Sequence, residues 1–393
     1  MRTRTLIPNQ TGIGLVELMV AMVIGLILIA GVTQIFVGTR KSYEISDGLS
    51  RLQENGRFAM DFLAHDLRMA GQTGCTPSNF NNFVNSGSVL FDLNTPISGL
   101  EYTGTGPGNN YTIASLDPAT ANSGDWSDTN GNHLSDVLPD LVGNVVPGTD
   151  IVMTRGARGL NGVRIDSGTP VSGTAINTNK KTGVAKGRVV MVSDCQSADI
   201  FQNVDTDSDT ALDRDTSCGG VSPCNIAAGT PWSQSWNDNA ELFTLSSKVY
   251  FIGASDLDGD GNPDPDTAGL WEADYSSGGV VLHELVQGVE NMQVLYGIDT
   301  TADANREADK YVTADGVTDW RDVVSVQISL LMRTTDELPQ PEDKHVYAMQ
   351  WDDSNVADAD AVRIEPKVGG SNDTRTRKVF ATTVALRNRI IRN

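Results

Sequence analysis

Residues 13–37 read IGLVELMVAMVIGLILIAGVTQIFV, and this stretch decides the architecture. Its 25 residues form a helix about 37 Å long at ~1.5 Å per residue, enough to cross a hydrocarbon core of ~30 Å. Residues 1–12 are polar and carry Arg2 and Arg4. The residues alone therefore describe an N-terminal membrane anchor with both arginines left in the cytoplasm. A cleaved secretory signal would have a shorter apolar core with a small-residue site after it. Here the small-residue step, Gly12, comes before the run. Glu17 breaks the apolar pattern, and a charge at the bilayer centre costs about 2.5–3.5 kcal/mol. Near the end of the run the cost is smaller, and a positive group such as an N-terminal amine would pair with it.

No proline occurs between Pro8 and Pro77, which suits one helix from about Ile13 to Met69. Leu49, Leu52, Phe58, Phe62, Leu63 and Leu67 recur at three- and four-residue steps and predict a packing stripe beyond the membrane. Gly71 and Gly74, followed by Pro77, predict the stop. Glycines 25, 31, 38, 48 and 56 each cost ~1 kcal/mol relative to alanine in a helix, so they mark close packing, local melting or tolerance. Residues 76–147 predict long loops and short strands. Strands are expected at 150–154, 188–193, 248–253, 292–297, 323–332 and 379–386. Ser325, Gln327 and Ser329 alternate with apolar neighbours, which predicts a half-buried strand. A long helix followed by strands implies an α+β fold, the helix packed on a mostly antiparallel β-sheet head.

The chain has 393 residues, room for two or three domains or one large domain with insertions. Its net charge is −21, which argues against nucleic-acid partners and leaves cations as natural ones. Residues 1–72 are nearly neutral, so the acidity belongs to the rest, although the last 31 residues are again basic.

Several segments carry a family resemblance. Gln10-Thr11-Gly12 followed by Ile13-Gly14-Leu15-Val16-Glu17-Leu18-Met19 resembles the prepilin signal of type IV pilins. Residues 50–59 (SRLQENGRFA), 66–71 (DLRMAG), 288–297 (GVENMQVLYG), 323–330 (VVSVQISL) and the end from Arg377-Lys378-Val379-Phe380 to Arg389 resemble the PilW family of minor pilins. Residues 76–247 resemble it weakly, apart from Pro147-Gly148-Thr149-Asp150. The resemblance implies a type IV pilin-like fold. It implies a leader peptide at 1–12 cut after Gly12 by a prepilin peptidase, and Ile13 as the N-methylated mature N-terminus. Glu17, the fifth mature residue, would pair with the N-terminal amine of a neighbouring subunit. The expected organisation is a transmembrane or fibre-core helix at 13–37, an amphipathic helix at 38–71, and a periplasmic β-rich head with insertions at 72–393. The implied function is non-enzymatic: a minor pilin that primes pilus assembly and sits at the pilus tip. Its implied partners are other minor pilins, the major pilin, the inner-membrane assembly platform and a tip adhesin. A pseudopilin of a type II-like secretion system shares the signal but not the later segments. A membrane-tethered, calcium-dependent binding module is the third reading.

The four cysteines, Cys75, Cys195, Cys218 and Cys224, would lie in an oxidising compartment, so two disulfides are expected. The preferred pairs are Cys218–Cys224, closing a short loop, and Cys75–Cys195, tying the helix end to the sheet. A zinc site is the alternative, without any CxxC to support it. Asp256, Asp258, Asp260, Asn262 and Asp264 fall at alternate positions with Gly261 sixth, as at the start of an EF-hand calcium loop. Position twelve is Thr267 rather than glutamate, so the stretch is an abbreviated calcium loop or an Asp/Gly turn between strands. No catalytic motif stands out. His283-Glu284-Leu285 lacks the second histidine of a zincin, and Gly104 to Asn109 lacks the phosphate-loop lysine. Trp126, Trp232 and Trp236 fall in loops, where they grip a sugar or partner or else pack the core. The basic tail from Arg375 to Arg392 meets acidic partners or forms a solvated strand face.

Overall fold

The computed structural model describes residues 14–74, 79–84, 89–166, 168–215, 224–226, 230–257, 259–260, 262–264, 266–276, 279–301, 307–349 and 361–388. One helix runs Leu15–Met69, 55 residues without a proline. Gly71 and Gly74 follow it at φ +77° and +78°, a left-handed conformation that glycine adopts freely. The Gly71 amide donates to Arg155 O at 2.7 Å, and the chain enters the head there.

The upper half of the helix buries Leu52, Gly56, Ala59, Met60, Leu63, Ala64 and Leu67, a three- and four-residue repeat along one face. That face packs on the strands Val281–Gln287, Val323–Arg333 and Arg377–Ala385. Leu52, Leu63 and Leu67 lie where the stripe predicts. Leu49 and Phe58 do not: they are 36% and 55% exposed. Small residues take the contact instead, because the sheet comes too close for large ones. A Cβ on Gly56 would sit 2.5 Å from the Phe380 ring, and one on Gly48 3.1 Å from Leu338. These two glycines are packing positions.

The head is built from mostly antiparallel sheets; only the pairs Asn79–Asn82 with Ser197–Gln202 and Asn110–Ile113 with Val362–Pro366 run parallel among the described strands. A helix on such a head is the expected α+β arrangement. The largest sheet centres on Glu241–Gly253, which pairs with Val189–Ser193 at one end, Ile151–Gly159 along its middle and Gly269–Asp274 at its far end. A second sheet orders Lys310–Val312, Val289–Ile298, Val323–Arg333 and Arg377–Ala385. Each predicted strand has a counterpart here. Val323–Arg333, however, is buried on both faces rather than one: Ser325, Gln327 and Ser329 are 7%, 6% and 0% exposed. The helix lies on the strand's sheet, and neighbouring Val289–Ile298 packs against strands of the larger sheet.

Asp150 joins the two sheets. Asp150 accepts from Tyr102 N at 3.1 Å and from Val294 N at 2.8 Å, while its own amide donates to Met292 O at 2.9 Å. Asn291 and Gln293 side chains both donate to Gly148 O, at 2.7 and 2.8 Å. Gly148 has φ +80°, and a Cβ there would strike the Tyr111 ring. Glu101, 4% exposed, is buried close enough to Asp150 for the two carboxyls to repel each other. Burial raises both carboxyls, and repulsion from Asp150 and Asp315 raises Glu101 further.

Two predictions follow from this packing. Gly56→Ala should destabilise the head by about 1–3 kcal/mol despite alanine's better helix propensity, and Phe380→Leu should restore much of the loss in thermal melts. The Glu101–Asp150 pair has a raised folded pKa. Its stabilisation is complete below the unfolded carboxylate range near pH 4 and fades as pH rises through the higher folded value. Glu101→Gln should therefore lose less stability than the parent as pH rises from about 4 through about 7; parallel melting curves at all pH values would contradict the raised carboxyls.

Candidate functional site

The lower half of the helix is the first candidate. Its apolar side chains stand open, with Leu15 76%, Ile24 53% and Phe36 68% exposed. A Cβ on Gly25, Gly31 or Gly38 would meet no described atom within 4 Å. The segment is long and apolar enough to cross a membrane, and its most apolar window has no buried residue. Glu17 turns back over the first turn, where Oε2 accepts the Gly14 amide at 3.2 Å. Acceptors there satisfy free amides and complement the helix dipole. The expected processing residues, Gly12 and Ile13, lie outside the described residues. The Glu17 carboxylate nevertheless sits on the amide directly after Ile13.

Near its upper end the helix is clasped to the head. Lys248 Nζ lies 2.9 Å from Asp66 Oδ2 and 3.0 Å from Glu272 Oε2. Tyr250 donates to Asp66 Oδ2 and approaches Glu272 Oε2 at 3.1 Å. Burial pushes the Tyr250 hydroxyl up, and the two carboxylates push it further. Burial alone would lower Lys248, but its hydrogen bonds to Asp66 and Glu272 outweigh that and hold it above its ordinary value. Asp66 belongs to one of the segments resembling PilW, yet nothing in its spacing signalled this cluster.

The acidic stretch connects Glu241–Gly253 to Gly269–Asp274, which pair through Gly253 and Gly269. Asp256 accepts from Gly259 N at 2.7 Å, Asp260 from Asn262 N at 2.8 Å, and Asp264 from Leu257 N at 2.8 Å. The carboxylates serve as turn acceptors within the loop. Asp258 lies outside the described residues. Among the described residues no group of three or more acidic, histidine or cysteine side chains is arranged to hold a metal. Cys195 and Cys224 are each disulfide-bonded. Their expected partners, Cys75 and Cys218, lie outside the described residues, and the pairing stays a proposal.

Other expectations are redirected. Trp126, Trp232 and Trp236 are 1%, 2% and 0% exposed, so they pack the core rather than grip a ligand. Trp126 donates to Thr149 O at 2.7 Å and Trp236 to Asp199 Oδ2 at 2.8 Å, which is how loop tryptophans satisfy their indoles when buried. The basic tail is not a uniform solvated face. Arg377 is buried against Glu290, with Nε 2.6 Å and Nη2 3.0 Å from its carboxylate, and against Asp373 at 2.7 Å. Burial would raise Asp373, but Arg377 and Arg375 outweigh it and hold its carboxyl at about 2. Arg333 also faces Glu290, at 3.5 Å. A glutamate on one strand and arginines on two others gave no local pattern to read.

Comparison with known families gives two matches. Residues 249–388 match the family described as Type IV Pilus-assembly protein W (PilW). Residues 7–33 match the prokaryotic N-terminal methylation motif, which spans Gly12, Ile13 and Glu17. No curated protein matches the chain, and no solved structure does.

Replacing Asp66 with alanine should leave Lys248 and Tyr250 with Glu272 alone and cost about 1–3 kcal/mol of head stability. Hydrogen exchange should show residues 60–69 opening first; unchanged protection there would refute the clasp.

Proposed function

Because residues 249–388 match the PilW family and residues 7–33 the N-terminal methylation motif, we propose that the chain is a PilW-type minor pilin that helps prime type IV pilus assembly and joins the complex at the pilus tip. The carrying observation is the apolar lower half of the helix, which has no partner among the described residues and carries Glu17 at its first turn. In the precursor, lipid covers this segment, with the head on the periplasmic side. Cleavage after Gly12 by a prepilin peptidase exposes the Ile13 amine, and the segment passes from lipid into the fibre core. A buried carboxylate is tolerated there only when paired, and a neighbouring subunit's N-terminal amine supplies the charge. Partners are then the major pilin, other minor pilins and the assembly platform, with a tip adhesin as a further candidate. The role needs no catalysis, and neither family match is to an enzyme.

Calcium at Asp256, Asp258, Asp260, Asn262 and Asp264 is a subsidiary proposal, supported by the spacing of their oxygens. Calorimetry on the full chain in detergent should then show calcium binding that Asp258→Ala with Asp260→Ala abolishes. Absence of both heat and a thermal shift would leave the loop as a turn.

Glu17→Ala should reduce piliation, scored by electron microscopy in the native strain, while the head's melting temperature stays unchanged. Normal piliation by the variant would remove the assembly role of Glu17.

A further inference from the structure

An open cavity of about 430 Å³ lies on the larger sheet, away from the helix. Phe251 and Trp271, cross-strand partners, form its floor with Leu282 of the adjacent strand. Pro118, Ala119, Asn144 and, from the acidic loop, Pro263 and Asp264 complete the lining. Trp271 differs from the three core tryptophans in remaining partly exposed. Gly253 makes room for it, since a Cβ there would sit 2.8 Å from Trp271 Cδ1. Two exposed apolar residues adjoin lining residues. Val142, beside lining residue Gly143, is 45% exposed, and Leu257, whose amide holds Asp264, is 42% exposed. Two carboxylates line the cavity. Asp117 spends Oδ1 on the Ala119 amide at 2.9 Å, and Asp264 spends Oδ2 on Leu257.

We propose that this cavity is a docking pocket for a partner-protein segment that places a large apolar side chain beside a basic residue. The floor and flanking Val142 and Leu257 reward apolar area, which an anchoring side chain supplies. They extend beyond the cavity, which favours a protein segment over a small metabolite. A sugar ring would need more hydrogen-bonding groups than Asn144, Asp117 and Asp264 present. Charge complementarity selects the flank: two aspartates in the lining, on a chain of net charge −21, favour an arginine or lysine and disfavour an acidic segment. The pocket belongs to the head alone and owes nothing to the apolar helix.

The test uses the full chain in detergent, labelled with fluorotryptophan, its Trp271 fluorine resonance assigned by Trp271→Phe. Acetyl-Leu-Arg-Arg-amide should move that resonance saturably, and acetyl-Leu-Glu-Glu-amide should not. Ala119→Trp, which fills the cavity, should abolish the effect. Asp117→Asn with Asp264→Asn, which keep an acceptor for each turn, should weaken binding about two- to fivefold. No movement with the basic peptide would overturn the proposal, as would equal movement with the acidic one. Movement with methyl glucoside alone would make the pocket a sugar site instead.

Discussion

One helix has to satisfy two environments that its own chain cannot both provide. Sixteen large apolar side chains between Leu15 and Val37 stand exposed. At roughly 1.5–3 kcal/mol per buried side chain, leaving them in water forgoes tens of kcal/mol. That sum exceeds what a domain holds in net stability, and no described part of the chain covers these side chains, so their cover comes from outside it. The upper half is built by the opposite rule. There Gly48, Gly56, Ala59 and Ala64 let the head approach, and Asp66 is clasped by Lys248 and Tyr250. Glycines at 25, 31 and 38 meet nothing in the chain, so any packing role they have is with a neighbour.

The head depends in turn on the join at Asp150. The PilW match covers the second sheet and part of the larger one, whereas residues 97–102 and 151–159 lie before it. Asp150 ties these parts together by bonding to Tyr102 on one side and to Met292 and Val294 on the other. Pro147 to Asp150 is also the one stretch of the weakly similar region that resembles the family. The structure gives that island a physical reason: it sits where the insertion is sewn to the matched sheet.

What the sequence made legible was periodic or local. The apolar run, the missing prolines and the alternating β-branched residues predicted the helix and the strands that carry the core. Acceptors at alternate positions predicted the acidic loop's place between two strands. Burial set by distant elements was not legible. Ser325, Gln327 and Ser329 read as a solvent face until a second layer covers them. Phe58 reads as core until Gly56 proves to be the contact. The pairings of Glu101 with Asp150, and of Glu290 with Arg377, join residues 49 and 87 positions apart, and no spacing rule reaches that far. The tryptophans failed for the same reason: Trp126 falls in a short strand paired with Tyr102, and Trp232 and Trp236 gain their cover from apolar side chains of distant segments.

The central claim is that the apolar helix is a processed assembly element and not a permanent anchor. Mass spectrometry of the mature N-terminus, in strains with and without prepilin peptidase, tests it most directly. The account predicts a chain beginning at methylated Ile13 only when the peptidase is present. A chain retaining residues 1–12 in both strains would contradict it and leave the helix as an anchor for the acidic head.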